Sequence, residues 1–515
     1  MTDSTLPVPP GPGFEDDLPD DRVSDAVDRL VTATAMLADY ASPAADRAVD
    51  EAVGEGTPRP GYRSLLDAAT ALGPATLRER ADRLRITQRA EGITFRPTAD
   101  EEREFPLDFV PRLIPASDWQ TIRTGCNQRA RALDLFLDDV YGEQAIVRAG
   151  LIPEWMIGNA PGYRDDGRLA TGVRAHVCGF DIVTAGDGRW QVLEDNLRIP
   201  SGLAYALWNR DLITRFAGEF IPPAPLVGHT GVAGTLLETL TRAAPPRCVG
   251  SPNVVLVTEG PENSAYAEHA ELAARMGIPL IVPGDLLVVE EDRLARRTPT
   301  GTEPVDVIYQ REVEETFLAA TGADGRPLGD GIRSAVQRGT VTVANAFGNG
   351  VADDKAIYAF VPRMIEFYLG EQPILHNIPT YLCAEPDQLG DVLDNLGDLV
   401  TKPIDGHGGI GVVIGPDATG AELAARRAEL LADPKNYVAQ EAVTLSTLPA
   451  FDGEGFSPRH VDLRVFTHVR AIDPGDREAV TLPAALTRVA EPGSRIVNSS
   501  SGGGSKDTWI LADPA

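Results

Sequence analysis

Cysteine and histidine are scarce in this chain. The four cysteines, Cys126, Cys178, Cys248 and Cys383, lie far apart and form no CxxC pair, so neither a disulfide framework nor a cysteine zinc site is indicated. The seven histidines are equally scattered, which argues against a metal site built from imidazoles. Long apolar runs are missing too: none approaches the roughly 20 residues that a membrane-spanning helix needs. The opening MTDSTLPVPPGPGFEDDLPDD has neither the basic nor the apolar region of a signal peptide. Its proline and acid content reads as a disordered tail over residues 1–20, and the expected location is the cytoplasm. Positive charge is in deficit as well, leaving a net charge of −29. Such a surface repels phosphate backbones and anionic lipid, so neither nucleic acid nor a membrane is an expected partner. An anionic nucleotide would need a locally basic pocket.

What remains is an ordinary globular composition, 43% hydrophobic and 24% charged over 515 residues, enough for about two to four domains. Apolar residues at helical spacing over 21–40 and again over 65–89 predict a helical N-terminal region, residues 21–90. Ser117 followed by Gln120 is a capping-box pattern that would open a long helix running to Val140. The segment GVRAHVCGFDIVTAGDGRWQVLEDN, residues 172–196, reads as two strands joined by a turn at 186–188. Breaks follow at 221–225 and 243–252. Beyond them NVVLVTEG, a helix over 265–276 and IPLIVPG make a β-α-β unit, hence a small parallel sheet. From about residue 339 strands and helices alternate to the end.

Several polar groups stand out against this background. Glu194 and Asn196 are two apart on one strand and share a face, and Asp181 on the partner strand can lie opposite them. Three hard oxygen donors on one sheet face suit Mg²⁺; a solvated polar hairpin would look the same. Asp195 points to the other face. In LVTKPIDGHGGIGVVIG, residues 399–415, a strand delivers Lys402 to a loop with Gly406, Gly408, Gly409 and Gly411. Glycines let backbone N–H groups approach a polyphosphate and lysine adds a point charge, although no GK[ST] follows and the loop is not a P-loop. YVAQEAV ends in Gln440 and Glu441, whose surroundings would suit an adenine edge and ribose hydroxyls as well as a plain core strand. Asp462 and Arg464 share one face of RHVDLRVF, as a surface ion pair would. Lys355 lies near a helix start. The run VNSSSGGGSKD, including Asn498 and Lys506, fails the P-loop spacing; it fits a flexible linker as well as a loop that contacts nucleotide or substrate.

In order along the chain, EREFPLDFVPRLIPASDW, FLDDVYGEQAIVRAGLIPE, VLEDNLRIPSG, LVTKPIDGHGGIGV and VNSSSGGGSKDTWIL resemble the circularly permuted ATP-grasp proteins (type 2) of bacteria, over residues 95–511. The arrangement is also similar to the synthetase domain of glutathionylspermidine synthase. The resemblance implies an α/β (α+β) fold with the carboxylate-bearing lobe first (91–245), a small parallel-sheet, pre-ATP-grasp-like domain (246–335) and a nucleotide-binding lobe (336–515). It implies ATP and Mg²⁺ as cofactors, the metal on Asp181, Glu194 and Asn196. Phosphates would lie on Lys355, Lys402, Arg464 and the glycine loop, with the adenine and ribose hinge at Gln440–Glu441. The synthetase carries an arginine two residues before its first metal ligand, where this chain has Gly179; Arg174 and Arg198 are the nearest substitutes, and neither aligns. The activity implied is ATP-dependent ligation of a small-molecule or peptide carboxylate to an amine through an acyl phosphate. A phosphotransferase and a non-catalytic nucleotide-binding module remain as alternatives. Gene neighbourhoods of the family carry an all-helical companion and transglutaminase-like proteins, so a protein partner is a further expectation.

Overall fold

Period-two alternation organises the centre of the molecule. A computed structural model describes residues 40, 48–98, 101–169, 172–184, 186, 188–406, 410–473, 475–497 and 503–513. The largest sheet runs His376–Asn377, Trp190–Asn196, Val177–Thr184, Phe456–Ala471, Arg477–Val489, Gly504–Ile510, Leu107–Ile114, and Thr447–Phe451 pairs with the start of Phe456–Ala471. Its interior pairs are antiparallel, and the outermost pair at each edge is parallel. Phe180, Ile182, Leu463 and Val465 point to one face and join the core formed with the helix Ala116–Val140. That helix buries Ile122, Cys126, Leu133, Phe136 and Leu137, a helical stripe facing the sheet. On the other face, the helix Leu203–Phe216 packs over Arg477–Val489 and Gly504–Ile510. This second face, only partly covered, presents Asp181, Arg464 and Arg488.

The expected capping box does not form. The helix Ala116–Val140 has Pro115 as its N-cap residue, and the Ser117 hydroxyl donates to Asp118 instead. Ser117 already lies inside the first turn, where its side chain does not meet the orphan N–H groups.

A smaller antiparallel sheet, in the order Thr380–Leu382, Tyr437–Glu441, Leu399–Pro403, Val413–Ile414, is backed by a core of Val392, Leu430 and Ala439. These come in part from the helices Pro386–Asp394 and Gly420–Ala432. The predicted β-α-β unit is present as Val254–Val257, Tyr266–Met276 and Leu280–Ile281, in a parallel sheet ordered Leu280–Ile281, Val254–Val257, Val307–Gln310, Thr342–Ala344. Its last strand lies beyond residue 335, where the sequence reading places the end of this unit. The N-terminal region contributes the helix Pro60–Ala90, interrupted at Gly73 with φ 73° just before Pro74. The expected tail over 1–20 and the helix expected over 21–40 lie outside the described residues, Tyr40 excepted. Among the described residues no helix is long and apolar enough to cross a membrane.

Candidate active site

A cavity of about 500 Å³ opens between the exposed face of the large sheet and the smaller antiparallel sheet. Asp181, Glu194 and Asn196 line it, as do Lys355, Lys402, Gly406, Gln440, Glu441 and Arg464. Register explains the first group. Asp181 pairs across the strands with Glu194, Gly179 with Asn196, and a bulge follows Asp181. The bulge inserts Leu193, so that Leu193 and Glu194 both reach the cavity while Val192 returns to the core. Asp195 faces the opposite side in a buried bidentate pair with Arg129, both N–O distances 2.6 Å, and serves the core.

Arg464 lies directly opposite Asp181 on the next strand and grips both its oxygens at 2.7 Å. Arg488, which the sequence reading did not single out, adds a third bond to Asp181 at 2.7 Å and also binds Asp462. No local motif marks Arg488; it is recognised only once the strand Arg477–Val489 is placed beside Phe456–Ala471. Burial pushes the Asp181 carboxyl up, and the two guanidiniums overcome it and hold it at about 2. Three of its roughly four lone-pair directions are used, leaving one on Oδ1. Glu194 is freer: its nearest cation is Lys355, with Nζ 3.6 Å from Oε1, and its side chain is 34% exposed. The Nδ2 of Asn196 is buried with no partner. An orphaned amide beside two carboxylates is the kind of group that a bound ion and its water shell would satisfy, so the donor set fits Mg²⁺.

The smaller sheet and a short helix supply the lysines. Lys402 enters from Leu399–Pro403 and donates to Gln440 Oε1, and Gln440 Nε2 in turn donates to Thr380 at 3.1 Å. The buried Gln440 side chain thus orients Lys402. Burial holds the Lys402 ammonium down at about 8, with Glu194 pulling it back up. Lys355, at the start of the helix Lys355–Tyr358, donates to the Gly406 carbonyl. Gly411 has φ +74°, a conformation glycine adopts readily. His407, Gly408 and Gly409 lie outside the described residues. Glu441 is exposed at the cavity, and Leu193, Ile378, Val400, Ile414, Val443 and Leu445 give it an apolar end.

Arg174 and Arg198 are not brought to this cavity. Arg174 is buried under Tyr141, 4.1 Å from the ring centroid, and donates to the carbonyls of Gly167 and Phe347 at 2.7 Å. The arginines that do line the cavity are Arg464, Arg488 and Arg495. Gly179 is itself constrained: a Cβ there would come within 2.7 Å of the Pro200 side chain, so no arginine fits. Lys506 does not line the cavity either. It is fully buried and donates to Asp108 and to the carbonyls of Val110 and Pro449, a structural role; residues 498–502 are outside the described set.

The cavity thus sets Asp181 and Glu194 of the large sheet against Lys402 of the smaller sheet and Lys355 of the short helix. The circularly permuted ATP-grasp type 2 family model matches residues 111–490, and the chain belongs to that family. A protein of Frankia alni provisionally named glutamate–cysteine ligase 2-3 is 49% identical over 92% of this chain and 54% of its own length. A second from Frankia casuarinae, provisionally named glutamate–cysteine ligase 2-2, is 46% identical over the same shares. The chain thus spans about half the length of these curated relatives. An uncharacterised Synechocystis protein is 41% identical over 88% of this chain and 95% of its own. Among solved structures, a glutathione synthetase-like effector from Globodera pallida shares the fold at TM-score 0.59 and 12% identity, over 85% of this chain and 98% of that one.

Proposed function

We propose that the chain is an ATP-dependent carboxylate–amine ligase that binds Mg-ATP between its large sheet and the smaller sheet that carries Lys402. The observation that carries this reading is the meeting in one cavity of Asp181, Glu194 and Asn196 with Lys355, Lys402, Arg464 and Arg488. Glu194, Asn196 and the free lone pair of Asp181 would hold Mg²⁺, which supplies charge neutralisation at phosphate oxygens. Lys355, Lys402 and the loop of Gly406, Gly408 and Gly409 would contact the phosphates. The apolar end of the cavity would take the adenine, with Glu441 at the ribose. Arg464 and Arg488 face the charge that builds on the transferring group, the part left open by Gly179.

The chemistry balances as follows. A carboxylate oxygen of the substrate attacks the γ-phosphorus, the bond from that phosphorus to the bridging oxygen breaks, and ADP leaves. An amine nitrogen then attacks the acyl carbon, the carbon–oxygen bond breaks, inorganic phosphate departs and the amine gives up a proton. The provisional name of the two Frankia relatives directs the search for substrates to amino acids and short peptides. The test incubates the protein with Mg-ATP and such pools, with and without hydroxylamine, and measures ADP, phosphate and hydroxamate separately. Hydroxamate that disappears in Glu194→Gln is the expected result. A stable phosphorylated product would replace the ligase with a kinase, and equal affinity of wild type and Glu194→Gln for a Mg-ATP analogue would remove the metal assignment.

A further inference from the structure

The parallel sheet has its own unassigned chemistry. Its first strand, Val254–Val257, lies inside the sheet; the chain passes to Leu280–Ile281 on one side and then to Val307–Gln310 on the other. The order reverses between Val254–Val257 and Val307–Gln310. In open parallel sheets such a reversal leaves a crevice beyond the carboxyl ends of the two strands, and ligands bind there. Val257 and Gln310 are paired in register, so Glu259 and Glu312, each two residues further on, both stand at this crevice.

Glu312 is 1% exposed, and neither of its carboxylate oxygens has a hydrogen-bond partner. Next to it, Gln310 Oε1 and Arg311 Nε are buried and unpartnered as well. Burying a carboxylate without a cation or donor is strongly unfavourable, and such a group calls for an ion that arrives with the ligand. Burial, with Glu259 adding to it, pushes the Glu312 carboxyl up to about 7. Hydrogen bonds link this end of the sheet to residues at the cavity. Arg311 donates to Ser201 Oγ and to the Pro200 carbonyl at 2.7 Å, while Arg464 donates to the Ser201 carbonyl at 3.2 Å. Glu268, on the helix that follows the crevice, lines the cavity and accepts from the Gly202 amide at 2.8 Å.

We infer that the crevice between Glu259 and Glu312 is the subsite for a primary ammonium group of an amino-acid or peptide substrate. The inference rests on the ligase reading for the substrate's part in the reaction. The subsite itself does not depend on it. Arg311 and the turn at Pro200–Gly202 fix this subsite relative to Arg464, so the bound molecule extends from the crevice toward the phosphate-binding side chains.

The test uses the full chain without nucleotide and follows melting in the presence of the standard L-amino acids, each beside its N-acetyl form. At least one free amino acid is expected to raise the melting temperature, and its N-acetyl form is not. Glu312→Gln is expected to weaken that amino acid about tenfold or more, since a charge-assisted contact is lost. Glu259→Gln should weaken it by a smaller factor. Glu312→Gln should bind a Mg-ATP analogue as wild type does. Ligand-free, above pH 7, it should melt no lower than wild type, because an unpaired buried charge has been removed. A lower ligand-free melting temperature would make Glu312 a structural residue and overturn the subsite. So would the absence of any amino-acid response, an equal response to the N-acetyl forms, or an unchanged response in both variants. A wild-type chain that binds amino acids in this pattern but no Mg-nucleotide would overturn the ligase reading alone.

Discussion

The chain has four lysines, and their placement is informative. Lys355 and Lys402 reach the cavity, whereas Lys506 is a core residue. Lys402 is the one with a testable titration. Its folded value of about 8 lies below the ordinary 10.5, so between these values the unfolded chain holds more protons than the folded one. Stability from this group therefore rises with pH through that window, and the full penalty applies below it. Lys402→Met should abolish the slope and make the ligand-free protein more stable at neutral pH, while weakening a Mg-ATP analogue about tenfold or more. Urea unfolding at several pH values and calorimetric titration measure the two effects; a variant that is less stable at neutral pH would make Lys402 structural. Arg488 gives the opposite case. With Asp181 and Asp462 it forms a buried network, and Asp462→Ala would leave it undercompensated. Breaking one partner of a buried pair costs about 3–5 kcal/mol. A loss below about 1 kcal/mol in urea unfolding would show that solvent already screens the network.

At the scale of elements, the hairpin Val177–Thr184 with Trp190–Asn196 and the β-α-β unit were legible because alternation and short buried runs are local signals. Asp181, Glu194 and Asn196 fell on one side for the same reason. The partners of Asp181 were not legible, because Arg464 and Arg488 arrive from strands some 280 and 300 residues later. Gly179 reads as a missing arginine in the sequence and as a packing requirement against Pro200 in the fold. The helix ends show the limit of motif reading. Ser117 and Gln120 have the capping-box spacing but Ser117 sits two residues past the N-cap, whereas Thr419 and Glu422 form the reciprocal box at Gly420–Ala432. Ser117→Ala should change stability by less than about 0.5 kcal/mol. Thr419→Ala should cost about 1 kcal/mol by loss of its hydroxyl cap. Chemical denaturation of the two variants separates them, and equal losses would contradict the assigned N-caps.

For the whole molecule, the decisive feature is that the proposed nucleotide contacts come from two separate sheets. The large sheet contributes Asp181, Glu194 and Arg464, and the smaller one Lys402 and Glu441. A ligand bridging both must stabilise the native chain by mass action, by about 2.7 kcal/mol at a hundredfold excess over its Kd. It should also damp local opening of the smaller sheet, which has the less extensive core, more than opening of the large one. Hydrogen exchange with and without a Mg-ATP analogue measures this directly. Slowing is expected over 399–414 and 437–445, together with Asp181–Asn196 on the facing strands, while the parallel-sheet segment 280–310 keeps its rates. In Glu194→Gln the slowing should shrink on both sheets together, since the ion links phosphate to the large sheet and the phosphate links back to Lys402. Protection confined to the smaller sheet would mean that the nucleotide rests on one lobe only, and the carboxylates opposite would then need another occupant.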